Sequence, residues 1–194
     1  LNININYLIG RAKAAILFRN RSDSKWHIDF IVHLVSIIKP ASYLEVGIFR
    51  CGLFNQVIPY AKTLVGLDID SNAGKYMKFN SKCEFVNSPS LDFFKKQIES
   101  GRKFDFIFID GDHSKEAVEA DFLGAFEVLN DNGIILLHDT YPLNSAATVR
   151  ERCDDGYLAI DKLSRLTSEW EMMTIPIHPG LTLCRKRIKQ VDWQ

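Results

Sequence analysis

Between Phe104 and Ser114 the chain reads FDFIFIDGDHS, an apolar run that stops abruptly in Asp110, Asp112 and His113. Carboxylates and an imidazole at one place are the means to bind cations and to move protons near neutrality. A second apolar run, GIILLHDT, ends in His138 and Asp139. An earlier one, LEVG, carries Glu45 just ahead of a glycine turn, and GLDID ends in Asp68. Three apolar runs that end in acid, and a fourth that carries one just before its glycine turn, are the pattern of a site built at strand tips.

The elements that must hold these residues follow from periodicity. Phe106 to Ile109 are apolar without alternation, which suits a strand buried on both faces, as in a parallel sheet between helices. From residue 42 strands alternate with helices: SYLEVG and a helix through Val57; TLVGLDID and a helix near Lys75 to Phe79; CEFV and a helix through Leu91 to Ile98. After FDFIFID, Ser114 caps a helix carrying Ala117, Val118, Phe122, Ala125, Phe126 and Leu129, and Asn132-Gly133 turns the chain into GIILLHD. A helical stretch is expected from Asn144 to about Leu166. EMMTIPI and GLTLCRK, separated by His178-Pro179-Gly180, read as a closing antiparallel hairpin. The sum is an α/β fold: a Rossmann-like, doubly wound, mainly parallel sheet with a C-terminal antiparallel hairpin.

Ahead of that domain, residues 1–39 read as an N-terminal helical appendage, and residues 40–194 as the domain proper. Ile5, Leu8, Ile9, Ala12, Ile16 and Leu17 form one helical stripe. A second helix is expected from Ser22 or Asp23 to Ile38, with Trp26, Phe30, Leu34 and Ile37 as its apolar face, Trp26 and His27 in the packing, and Pro40 as its stop. Such an appendage suits a cover for the crevice or a homo-oligomer contact.

Open α/β sheets bind ligands at the carboxyl ends of their strands. The turn Gly47-Ile48-Phe49-Arg50-Cys51-Gly52 lets a ligand approach the backbone, yet Phe49 stands where the dinucleotide fingerprint GxGxxG needs its second glycine. No phosphate-gripping Lys follows Gly52. Glu45 repels a pyrophosphate and favours a sulfonium or ammonium group. Asp68, about 20 residues beyond the glycine turn, stands where an acid takes ribose hydroxyls. These residues together point to an adenosine-bearing cofactor with positive charge and no phosphate.

In order along the chain, LEVGIFRCG, GLDID, FDFIFIDGDHS and GIILLHDT resemble the motifs of class I S-adenosylmethionine-dependent methyltransferases, over roughly residues 40–186. The nearest likeness is to small O-methyltransferases with the IDGDHS signature, relatives of the catechol, sugar and macrolide enzymes. The resemblance implies S-adenosyl-L-methionine as cofactor and a small hydroxylated acceptor. It implies that Glu45 and Gly47 line the methionine end, that Asp68 binds the ribose and that Ser90 lies near the adenine, with Asp110 also at the cofactor. It further implies Asp110 and Asp139 as ligands of a Mg²⁺ that lowers the acceptor hydroxyl's pKa, with Asp112 as general base; His113 is a second base candidate because an imidazole titrates near neutrality. Two positions depart from the family pattern: Cys51, where many relatives have glycine, and Thr140, where a third carboxylate or amide ligand is common.

Composition sets the outer bounds. A chain of 194 residues is one domain with an arm, and 24 basic against 24 acidic residues direct attention away from nucleic acid and anionic membranes. Cys51, Cys83, Cys153 and Cys184 form no CxxC pair, which fits a reducing cytoplasm and excludes a zinc-finger arrangement. The opening has neither the basic start nor the cleavage site of a signal peptide, and no segment reaches about 18 apolar residues. Its first residue is Leu1, which reads as a truncated or processed start. Two rival readings remain at this level: a metal-dependent phosphoesterase-like hydrolase, because GDH and HD pairs occur there, and a non-catalytic cofactor-binding member of the fold.

Overall fold

The structure is a computed structural model that describes residues 25–150, 152–166 and 168–187. In chain order it runs α1 (Trp26–Ile38), β1 (Ser42–Val46), α2 (Phe54–Val57), β2 (Thr63–Asp68), β3 (Cys83–Asn87), α3 (Ser90–Ser100) and β4 (Phe104–Ile109). It continues with α4 (Lys115–Glu127), β5 (Leu129–His138), α5 (Gly156–Leu163), β6 (Trp170–Ile175) and β7 (Leu181–Lys186). The strands form one sheet in the order β3-β2-β1-β4-β5-β7-β6. The first five run parallel; β7 lies antiparallel to both β5 and β6. This is the expected doubly wound sheet with its antiparallel end.

Burial follows from the apolar runs. Leu44, Ile107 and Leu137 pack on one face against Phe93, Phe94 and Phe122 from α3 and α4. Tyr43, Phe106 and Leu136 pack on the other face with Ile31 and Val35 from α1 and with Phe54. A strand covered on both sides has no polar face to show, hence the lack of alternation.

Several local expectations give way to tertiary pairing. The first expected helix lies outside the described residues, as does the start of the second. In α1 the buried stripe is His27, Ile31 and Val35, whereas Phe30 and Ile37 are exposed. Two apolar stripes compete on this helix, and the sheet takes the narrower one. The helix ends where Lys39 adopts a left-handed conformation and donates its N–H to Val35 O, one residue before Pro40. The helix expected near Lys75 to Phe79 is a single 3₁₀ turn, Ala73–Tyr76.

Asn132-Gly133 lies inside β5 and makes no turn between elements. The β4–β5 pairing slips there, with Phe104 opposite Leu129 but Phe106 opposite Ile134, so the intervening residues of β5 bulge. The Asn130 side chain donates to Asp105 Oδ1 across the bulge. Among the described residues from Asn144 onward, a 3₁₀ turn, Ser145–Ala147, and α5 are helical.

Candidate active site

Register brings the chemistry to one level. Val46 pairs with Leu67 on one side and Ile109 on the other, and Ile109 pairs with Leu137. The next residues, Gly47, Asp68, Asp110 and His138, therefore emerge together at the strand tips. The point between β1 and β4 is where strand order reverses, the usual place for a ligand crevice.

Gly47 is fixed by its own chain. Its φ is +84°, and a Cβ there would stand 2.1 Å from the carbonyl oxygen of Asp110. Cys51 adopts φ +54° and buries its thiol beside the Ala73 carbonyl. Its side chain stays off the crevice, so the substitution for glycine leaves the approach to the backbone open at a local conformational cost. The Phe49 N–H donates to Asp68 Oδ2 at 2.8 Å and the Asp70 N–H to Asp68 Oδ1 at 2.9 Å, which ties the two strand tips together.

Between these tips lies a cavity of about 480 Å³, within the range of small-ligand sites. Gly47, Asp68, Ser90, Asp110 and Asp112 all lie on its wall, as does Asp121 of α4. Four carboxylates and no Lys or Arg line it. Coulomb's law makes such a wall hostile to diphosphate and favourable to a cation.

Glu45 is not on that wall. It is buried beneath the loop, accepting the Tyr43 hydroxyl at 2.6 Å, and the Phe54 N–H also bonds to it. Burial pushes its carboxyl up to about 8, against the pull of the Tyr43 hydrogen bond. At neutrality Glu45 is therefore mostly uncharged, and the negative field comes from the aspartates.

Behind Asp110 lies a cluster of acids and imidazoles. His138 Nδ1 is 2.9 Å from Asp110 Oδ1 and 3.3 Å from Asp139 Oδ2. His113 Nε2 is 3.4 Å from Asp110 Oδ1, and its Nδ1 is 3.2 Å from Asp139 Oδ2 and 2.6 Å from the Arg152 carbonyl oxygen. His27, from α1, places Nδ1 3.0 Å from His138 Nε2. Burial would lower both imidazoles, but Asp110 and Asp139 outweigh it and hold His113 at about 9 and His138 at about 10. Burial would likewise raise Asp110, yet the two histidines hold it well below the usual carboxylate range. Asp139 reaches the cluster through a left-handed backbone, φ +57°, just beyond the end of β5.

Comparison with known proteins agrees with this geometry. A family described as a methyltransferase domain matches residues 45–140, which span the glycine turn, Asp68, Asp110 and Asp139. The chain is a class I S-adenosylmethionine-dependent methyltransferase. Among curated proteins it is similar to caffeoyl-CoA O-methyltransferase 1 of Nicotiana tabacum, with 23% identity over 183 residues, 81% of this chain and 74% of that one. Among solved structures it resembles the O-methyltransferase from Bacillus cereus in complex with SAH, with TM-score 0.69, 18% identity, and 93% of this chain and 90% of that one covered. It also resembles the SAH-bound methyltransferase PaMTH1 of Podospora anserina, with TM-score 0.69, 16% identity and coverage of 97% and 99%.

Within this methyltransferase the expected residues divide into two groups. Gly47, Asp68, Ser90, Asp110 and Asp112 meet at the cavity; Glu45, His113 and Asp139 stand behind it. Asp112 is exposed and accepts the Ser114 N–H, which lowers its carboxyl and starts α4 in place of a Ser114 side-chain cap. Sequence reasoning missed Asp121. Burial raises it to about 6 while a Ser90 hydrogen bond opposes that, and its signal was a carboxylate on the apolar stripe of α4, three residues after Val118.

The implied Mg²⁺ fits the residues poorly. Magnesium demands near-octahedral oxygen ligation. Here both candidate carboxylates face imidazole nitrogens, and the next residue is Thr140, whose hydroxyl is buried without a partner among the described residues.

Proposed function

We propose that this methyltransferase transfers a methyl group to a hydroxyl of a small molecule, with Asp68, Ser90 and Asp110 holding the donor and Asp112 taking the proton. The observation that carries the reading is the cavity at the β1, β2 and β4 tips, which sets four aspartates among apolar residues and is free of basic side chains. When bound, S-adenosylmethionine supplies an electrophilic methyl on a sulfonium. Asp68 keeps free lone pairs for ribose hydroxyls while its backbone bonds hold it still. Ser90, hydrogen-bonded to Asp121, lies on the cavity wall and is the residue proposed to meet the adenine. Asp110 is kept ionised by His113 and His138, so its charge stands ready for a cationic group.

An acceptor hydroxyl attacks well only as its proton leaves, and a wall carboxylate within reach is a general base. Asp112 supplies that group. His113, off the wall and bonded on both nitrogens, positions Asp110 and Asp139 and stores a proton. Gly47 belongs to the loop that shapes the methionine end, and Glu45 supports that loop from beneath. The tobacco relative's name gives one example of such an acceptor, caffeoyl-CoA. Cys51, Cys83, Cys153 and Cys184 are free thiols, in keeping with a reducing, cytoplasmic setting. A phosphoesterase reading finds no cationic side chain on the wall to take a phosphate.

The test is methyl transfer to a panel of catechols, hydroxycinnamoyl thioesters and sugars. Asp112→Asn is expected to lower kcat by roughly 10²–10⁴-fold with donor affinity retained. Unchanged turnover in Asp112→Asn removes it as base.

A further inference from the structure

The start of α4 is held by two carboxylates that lie far apart in the chain. Asp112 Oδ1 accepts the Ser114 N–H at 2.8 Å, and Asp155 Oδ1, from the residue before α5, accepts the Lys115 N–H at 2.7 Å. We propose that Asp155 is a positioning residue for methyl transfer: by taking the Lys115 N–H it keeps Asp112 turned to the donor cavity and available to the acceptor's proton. The inference rests on the reading of Asp112 as general base.

A helix start leaves its first N–H groups without intrahelical partners. An acidic side chain ahead of it accepts N–H groups two or three residues on, and for Asp112 those are Ser114 and Lys115. Ser114 makes no side-chain cap bond to α4. Were the Lys115 N–H free, Asp112 would stand at the capping distance to take it. A carboxylate that satisfies two backbone donors has less left for a substrate. With Asp155 in place, the hydrogen bonds to Asp112 among the described residues come from Ser114, through its N–H and its hydroxyl, and lone pairs remain for the acceptor. Asp155 itself stands off the cavity, whose wall carries Asp112, Ala117 and Asp121 from this region.

The segment ahead of α5 braces the same loop at other points. The Arg152 carbonyl oxygen lies 2.6 Å from His113 Nδ1. A Cβ at Gly156 would stand 2.7 Å from the His113 carbonyl oxygen, so a glycine is needed for α5 to begin this close to the loop. Asp154 adopts φ +47°, a left-handed backbone uncommon outside glycine, immediately before the residue that reaches Lys115. Such a conformation persists where the contacts around it over-determine it. Behind the brace, Val118 of α4 shares one core with Ala159, Ile160 and Leu163 of α5, so the two helices hold Asp155 and Lys115 in register.

The experiment uses the full chain. Asp155→Ala is crystallised with S-adenosylhomocysteine, and Asp112 is expected to turn and accept the Lys115 N–H. Methyl transfer to the panel acceptor that wild type methylates fastest is then followed, with turnover counted per S-adenosylhomocysteine-binding site. In Asp155→Ala kcat is expected to fall about tenfold or more, with acceptor KM and donor affinity within about threefold of wild type, because a small misplacement of a reacting group slows the step without touching binding. Asp155→Asn keeps the accepting oxygen and is expected to restore most of the turnover. Asp112→Asn combined with Asp155→Ala is expected to be no slower than Asp112→Asn alone, since both changes disable one group. Should Asp155→Ala fail to fold, Asp155→Ser, one bond shorter than aspartate, takes its place. If wild type methylates none of the panel, the crystal decides alone. Asp112 unmoved in the crystal, unchanged kcat per site, or additive losses in the double variant each overturn the proposal. Unchanged turnover in Asp112→Asn removes the base and this inference together. A loss there with wild-type turnover in Asp155→Ala removes this inference alone.

Discussion

Glu45 shows how one side chain changes meaning between sequence and structure. Read along the chain it is a charge beside a cationic ligand; folded, it is a buried group bonded to Tyr43, with its carboxyl raised from 4.5 to about 8. A carboxyl whose folded pKa lies above its unfolded value binds its proton more tightly when folded. Its share of stability is therefore present below about pH 4.5 and is lost as pH rises toward 8. Glu45→Gln keeps the acceptor oxygen and removes the titration. Relative to wild type, the variant is expected to gain on the order of 3 kcal/mol between pH 5 and pH 9, read from urea unfolding at each pH. A difference that does not grow with pH means Glu45 is ionised in the folded protein.

At the scale of elements, the glycine turn owes its residues to the neighbouring strand as much as to any ligand. Gly47 lets the β1 tip pass against the backbone of Asp110 and Gly111, where any Cβ collides. Gly47→Ala is expected to cost on the order of 3 kcal/mol in urea unfolding, from the positive φ and the overlap together. Gly52→Ala, which meets nothing within 4 Å, is the control. The strands β1, β2 and β4 were legible because their apolar runs are buried between the helical layers, and the edge strand β3 followed from its place between two helices. In β5 the run from Gly133 was legible but its start at Leu129 was not: Asn132-Gly133 is a turn signal by composition, and only pairing with β4 makes it a bulge. The face of α1 was misread only in part: Trp26, His27 and Leu34 pack as expected, but Ile31 and Val35 take the core positions and Phe30 and Ile37 are exposed.

The whole molecule unites distant parts of the chain, which is why the site was only partly visible beforehand. Asp68, Asp110 and Asp112 could be found because each ends a strand or follows one. The His27–His138 contact joins residues 111 apart, and no local pattern signals it. Asp121 lay in plain view as a carboxylate on an apolar stripe. Across these scales the same physical cause recurs. Parallel pairing in register gathers acids at one rim, and the cavity they surround excludes diphosphate by charge.

Isothermal calorimetry with S-adenosylmethionine, repeated on Asp68→Asn and with NAD as competitor, tests that claim most directly. One donor site per chain is expected, weakened roughly tenfold or more in Asp68→Asn, since hydrogen bonds to a charged group are worth about 1.5–3 kcal/mol, and left untouched by NAD. No heat at millimolar S-adenosylmethionine with the protein folded, or displacement of the donor by NAD, contradicts the account.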